Sequence, residues 1–421
     1  MSQKQLTAGT GRSRVVDHCQ VCESSELSSV LFLGFLPPVN TMAPIGSRPT
    51  EQTSYPAQVL RCTRCGLVQL GLTVDPHILF PPDYAYTSGT TRILRENFAE
   101  LASEVSSLYP LTPNDLVVDV GSNDGTLLNA FQARGARVFG IEPTQKSELA
   151  RTRGIPTMTA FFGDAAARAA VAENGQAKIV TATNVFAHIE DVHSIVKAVL
   201  TLLQDDGLFI TESHYLLPLV RTIQFDTIYH EHLRYYSLTS LAYLLRQHGL
   251  EVIRAKAIPT HGGSFRVYAA RAGLHRVDRS VAVMMEEEGR HLTPEALSAF
   301  RTAVVRAKLG ILALLDGLLR QGARIYAVGA PSRASTLVNY VGIDDAMLEC
   351  VLEVPGSHKI GRYMPGTLIP VVDEKRLDSD PPDYLMLLSW HIADELMPKL
   401  RQRGFQGKFI VPLPEPRIVS G

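Results

Sequence analysis

The sequence has almost no net charge, few cysteines and no long apolar run, and each shortage closes a class of function. Its 41 Lys+Arg against 42 Asp+Glu leave a formal charge of -1. That balance offers no basic field to nucleic acid or to an anionic membrane. No stretch approaches the ~18 apolar residues that cross a bilayer. Met1 to Arg14 is polar, without the apolar core of a secretory signal. The expectation is a soluble, cytoplasmic protein with no nucleic-acid or membrane partner. Five cysteines in an unexported chain do not make a disulfide framework. No solenoid repeat or low-complexity tract is present. What is there is a 421-residue chain, 45% hydrophobic, with apolar material for two or three cores and a small molecule as the natural partner.

Four of the cysteines fall into two C-x-x-C pairs, Cys19 with Cys22 and Cys62 with Cys65. Each pair can point two thiolates at one tetrahedral zinc ion. The surrounding segment is rich in turns, with Leu36-Pro37-Pro38 and Pro81-Pro82, and has little core of its own, so bound metal would supply folding free energy. Four ordinary reduced thiols are the plainer alternative. Cys350 stands alone in an apolar stretch and reads as packing.

Residues 1–85 form this first unit. A helical period over Arg92–Tyr109 then leads into alternating strands and helices, and residues 86–280 read as a doubly wound parallel α/β sheet. A charged helical connector covers 281–320, and a second strand-helix series fills 321–421. In the central unit, Val117 to Val120 runs into Gly121-Ser122-Asn123-Asp124-Gly125, a strand meeting a tight glycine turn. Glu142 closes the next strand, where a carboxylate can hold two ribose hydroxyls. With Asp119, these residues fit an adenosyl ligand such as S-adenosylmethionine (SAM). Asn184, ending a later strand, could meet its amino-acid end, and Phe162 could cover adenine or simply pack. A dinucleotide competes, but the turn lacks the third glycine of a pyrophosphate site.

Tyr229-His230-Glu231-His232 places titratable groups in a row where packing alone does not explain them. A His-x-His metal pair is disfavoured, because residues two apart share a face only on a strand. Here the sequence resembles the sugar C-methyltransferases, which build branched deoxysugars on dTDP carriers. The resemblance runs along nearly the whole chain through the paired C-x-x-C, Asp83-Tyr84-Ala85-Tyr86-Thr87-Ser88, G-S-N-D-G, Y-H-E-H and His261-Gly262-Gly263-Ser264-Phe265-Arg266. It implies a zinc-binding unit, a Rossmann-like SAM unit and a pseudo-Rossmann unit. Methylating carbon requires an enolate, and the family pattern makes His232 the base that forms it, with Glu231 beside it. Tyr229 and either Tyr84 or Tyr86 would face the enolate oxygen, and His188 the same space.

The resemblance further implies that the third unit binds the nucleotide diphosphate. Gly329, Pro331, Ser332 and Arg333 would meet phosphate, with Lys359 and Arg362 adding charge. His261, Gly262, Gly263, Ser264 and Arg266 would line the cleft between units. A duplicated fold that only supports the second unit is the alternative. The expected reaction is methyl transfer to a dTDP-4-keto-deoxysugar, at C3 sooner than C5, by a working monomer. Two other functions compete: an NAD(P)H-dependent keto-sugar reductase, for which both turns lack the full glycine pattern, and a zinc-containing nucleic-acid binder, which the near-neutral charge opposes.

Overall fold

A computed structural model describes residues 13–79, 89 and 92–420. Tyr84 and Tyr86 lie outside the described residues. The described residues build two seven-stranded sheets, one four-stranded sheet and a two-stranded ribbon of Arg14–Val15 with Leu72–Thr73.

The central sheet runs in the order Leu250–Ile258, Ser264–Arg271, Leu203–His214, Ala177–Thr183, Leu116–Val120, Arg137–Ile141, Thr157–Met158. Its last five strands are parallel, as their near-continuous apolar character requires of strands covered on both faces. The strand expected to be parallel near 250–255 is instead one arm of an antiparallel hairpin, whose other arm borders Leu203–His214. Gly262 and Gly263, both at positive φ, turn that hairpin. Helix Arg92–Leu108 covers one face, burying Leu94, Phe98, Leu101, Ala102 and Val105 at helical spacing.

In the C-terminal sheet five parallel strands, from Pro370–Asp373 across Ile325–Val328 to Lys408–Val411, carry an antiparallel strand at each end. The connector is two helices. Thr293 caps the second through Ala296 N (3.2 Å) and Pro294 occupies its first turn, so the chain breaks at Leu292. That second helix, Pro294–Leu319, buries Leu297, Phe300, Val304, Ala307, Ile311, Leu315 and Leu318. It packs on strand Leu27–Leu36 and on helices Leu216–Arg221 and Ser332–Val341, so one rod touches all three parts of the molecule.

The N-terminal sheet matters most for the site. Its strands are Leu27–Leu36, Tyr55–Cys62 and Val68–Leu70, and its fourth is Arg234–Tyr235, two residues beyond His232. Pairing of Arg234 with Gln69 and of Tyr235 with Val68 splices the histidine-bearing segment into the cysteine-bearing unit. No helix among the described residues is long and apolar enough to cross a membrane.

Candidate functional site

The four cysteine sulfurs lie within 4.8 Å of one another. Cys19 and Cys65 are 3.4 Å apart at sulfur, as are Cys22 and Cys62. Tetrahedral zinc with ~2.3 Å bonds needs thiolates at about 3.8 Å, so the cluster closes on an ion with little adjustment. Val21 N and Cys22 N each lie 3.4 Å from the Cys19 sulfur and donate to it, which favours the thiolate. These residues fit structural zinc.

At the carboxyl edge of the central sheet, Gly121 (φ 71°) turns the chain after Leu116–Val120. A Cβ there would stand 2.6 Å from Val185 Cγ2, so only glycine keeps this loop close to strand Ala177–Thr183. Glu142 accepts from Asn123 N (2.9 Å) and from Thr144 N and Oγ1 (2.9 and 2.6 Å). Its carboxylate is thereby fixed at the edge beside the turn. Ser122 Oγ and Asn184 Oδ1 are buried with no hydrogen-bond partner among the described residues, and such groups call for a polar ligand. Asn184 holds a left-handed backbone (φ 57°), a strained state that usually marks function. This edge fits SAM. Asp119 lies deeper, bonded to Thr181 Oγ1 at 2.6 Å, and burial pushes its carboxyl up to about 7. Phe162 is half-buried against the apolar core.

Asp124 requires a correction. Expected to touch the cofactor, it is fully buried and spends its oxygens on Thr126 N and Oγ1, Gly89 N and Arg153. It ties the glycine turn to the following helix.

Four histidine rings converge over this edge. His232 stands 5.0 Å, centroid to centroid, from both His188 and His214, and His214 lies 5.4 Å from His261. The Tyr229 ring rests 4.1 Å from His232. His232 Nδ1 lies 2.9 Å from the Thr227 carbonyl. A carbonyl can only accept, so Nδ1 carries the proton and Nε2 is left as a lone-pair base. Burial, with His188, His261 and Arg333 nearby, pulls His232 down to about 3. Burial likewise pulls His188 and His261 to about 4 and His214 well below its ordinary range. The pocket is lined with neutral imidazoles. Glu231 accepts from Asn40 Nδ2 at 2.6 Å, and its backbone meets the buried His188 ring. His230 turns away, with its ring on Tyr55.

Several expected substrate contacts are committed elsewhere. Arg266 is completely buried; its guanidinium pairs with Glu212 (2.6 Å), Glu100 (2.6 Å) and Glu104 (2.8 Å). Because the hairpin turn ends at Gly263, residue 266 lies inside a strand and faces helix Arg92–Leu108, not the cleft. Arg333 forms a two-pronged pair with Asp226 (2.8 Å on each arm) and lies over the Trp390 ring, so it locks the parts together and is not free for phosphate. Ser264 Oγ donates to the Thr260 carbonyl (3.0 Å). Arg362 donates to the Met42 carbonyl (3.0 Å), fastening the C-terminal sheet to the zinc-binding unit. Lys359 is held by the Ala330 carbonyl. Gly329 (φ 81°) makes the turn after Ile325–Val328, with a Cβ there only 2.6 Å from Ser389 Oγ, and Pro331 and Ser332 open the helix that follows. His261 and Asn184 approach at 3.5 Å.

Sequence reasoning missed His214, Asn40 and Thr227. His214 ends strand Leu203–His214 at the carboxyl edge, a position that could have flagged it. Asn40 lies 191 positions from Glu231 and carried no signal.

A glycine turn with its acidic neighbour, a pocket of neutral bases and a tetrathiolate cluster together define a SAM-dependent methyltransferase with a structural zinc unit. The chain belongs to the C-methyltransferase family. Residues 19–80 match a zinc binding domain model, 93–255 a methyltransferase domain and 259–414 a C-methyltransferase C-terminal domain. C-methyltransferase NovU from Streptomyces niveus is 34% identical over 97% of this chain and 98% of its own. Among solved structures, SAM-bound magnesium protoporphyrin IX methyltransferase from Synechocystis PCC 6803 matches 42% of this chain and 79% of its own, at 17% identity and TM-score 0.33. The CcbJ methyltransferase from Streptomyces caelestis matches 42% and 90%, at 14% identity and the same TM-score. Overlaps that shallow add nothing to the assignment.

Proposed function

We propose that the enzyme methylates a ring carbon of a dTDP-linked 4-keto-deoxysugar, at C3 sooner than C5, with His232 as the base. The observation that carries this reading is the tautomer of His232: Nδ1–H is held by the Thr227 carbonyl, and Nε2 is left as a neutral acceptor on a buried ring. SAM supplies the methyl group when bound. Nε2 takes the proton from the carbon beside the ketone, and the electron pair moves into the carbonyl. Tyr229, whose ring lies against that of His232, would donate to the developing enolate oxygen. His188 and Glu231, with Asn40 behind it, wall the base and exclude water. Tyr84 or Tyr86 would add a second donor. The nucleotide end reaches the C-terminal sheet, where Glu353 accepts from Ala330 N at 2.8 Å, the arrangement that Glu142 makes with Asn123. The units 1–85, 86–280, 281–320 and 321–421 would close on one cleft in a working monomer.

The test is incubation with methyl-deuterated SAM and a panel of dTDP-4-keto-deoxysugars, reading the labelled carbon by NMR. His232→Ala should abolish transfer with SAM affinity unchanged. Turnover by that variant would remove His232 as base; NADPH consumption without transfer would favour a keto-sugar reductase.

A further inference from the structure

Arg234 is a buried cation in an unusual setting. It is 1% exposed, and among the described residues no carboxylate is hydrogen-bonded to its guanidinium. Its nitrogens instead donate to three backbone carbonyls, those of Phe186 (3.3 Å), Ile189 and Glu190. Those three residues bracket His188. A guanidinium buried against carbonyl dipoles and the Tyr236 hydroxyl, with no carboxylate bonded to it, is expensive, so its charge must be balanced from further away. Burial pulls Arg234 down, opposed by Tyr236, Cys19 and Asp191. Asp191 is occupied as a helix cap for Ser194 (3.0 Å) and is exposed. The remaining anion of consequence is the cysteine cluster, which with zinc and four thiolates carries a net charge of about −2.

Hydrogen bonds between adjacent backbone segments link the first cysteine knuckle to the histidine-bearing loops. Gln69, fully buried, accepts from Gln20 N (2.9 Å) and donates to the His18 carbonyl (3.0 Å), clasping the first cysteine knuckle from both sides. Gln69 is the strand partner of Arg234. Leu70 N donates to the Leu233 carbonyl (3.0 Å), and Leu233 N to the Ala187 carbonyl (2.8 Å). His232 precedes Leu233, and His188 follows Ala187.

We infer that Arg234 is a positioning residue that couples the zinc centre to the catalytic pocket, serving as counter-ion to the tetrathiolate and as the clamp that sets the His188 loop. The inference rests on the reading of His188 and His232 as pocket residues, and its test includes readouts that do not use turnover. Arg234→Met removes charge and clamp; Arg234→Lys keeps the charge but cannot span three carbonyls. Cobalt(II) affinity is measured by competition with a chelating dye, SAM affinity by calorimetry, exchange of amides 186–190 by mass spectrometry, and kcat and KM on the accepted sugar.

In Arg234→Met, metal affinity should fall by about tenfold or more and exchange at 186–190 should quicken. The kcat should drop by roughly a hundredfold, the scale of a misplaced catalytic group, with SAM affinity within about threefold. Arg234→Lys should keep metal affinity within about threefold yet show the faster exchange and lowered kcat. Unchanged metal affinity in Arg234→Met, or full kcat and native exchange in Arg234→Lys, would overturn the inference. If Arg234→Met does not fold, the lysine variant decides. If no keto-sugar is methylated at all, the proposed function fails while metal affinity and amide exchange still judge Arg234.

Discussion

Removal of the Asp226 carboxylate should unlatch the C-terminal part from the rest of the molecule. Asp226 is completely buried and receives three donors, Arg333 Nε and Nη2 and Trp390 Nε1, each at 2.8 Å. Arg333 is 6% exposed, and among the described residues Asp226 is its only ion-pair partner. In Asp226→Ala the guanidinium stays buried without a counter-charge, a loss of about 3–5 kcal/mol, to which the severed Trp390 bond adds roughly 1.5 kcal/mol. Against a typical total of about 5–15 kcal/mol, that is a large fraction. The assay is built in, because Trp390 is the sole tryptophan and its fluorescence reads the latch during urea unfolding. Arg333→Met in the Asp226→Ala background should recover about 2 kcal/mol or more, since it removes the unpaired charge. A cost below about 1 kcal/mol for Asp226→Ala, or strict additivity of the two changes, would refute the buried-pair argument.

Two further outcomes follow. His188, His230, His232, His261 and His391 are held by burial at about 3 to 4, so the unfolded chain binds protons first and stability falls as pH drops from ~6.5 toward those values. Between pH 7.5 and 5.5 each costs about 1.3 kcal/mol, with roughly 6.5 kcal/mol as the ceiling for all five; a urea midpoint flat across that range would contradict it. Asn40→Ala removes the 2.6 Å donor to Glu231 and loosens the wall beside the base, so kcat should fall with SAM affinity unchanged. Full kcat in that variant would show that this contact does not position the pocket.

What could be read from the sequence was what is local. The C-x-x-C pairs, the turn from Gly121 to Gly125 and the period of Arg92–Leu108 each carry their meaning within a few residues. The arginines were misread for the opposite reason. Arg266 and Arg333 stand in motifs that suggest phosphate, but their partners are Glu104, 162 positions away, and Asp226, 107 positions away. No spacing rule separates a cation awaiting a ligand from one already paired across the fold. The parallel strand expected near residue 250 failed similarly: a buried apolar run does not reveal its direction, which the glycine turn at 262–263 decides.

The depression of His232 bears on how the proposed chemistry must proceed. A shift from 6.5 to about 3 means that protonating this ring in the closed pocket costs roughly 5 kcal/mol more than in water. The pocket's own cation, Arg333, is already neutralised by Asp226, and the neighbouring His188, His214 and His261 are neutral and offer no negative charge. On the proposed reaction, the opposite charge that offsets the new imidazolium is the enolate formed by the same proton transfer, held close by Tyr229. Enolisation in isolation is therefore unfavourable and reverses readily. Methylation of the enolate carbon, with the S–CH3 bond of SAM broken and S-adenosylhomocysteine leaving, would remove that counter-charge, after which the low affinity of the ring for its proton would drive the proton out. A base buried to the point of weakness suits a reaction whose commitment lies in methyl transfer, not in deprotonation.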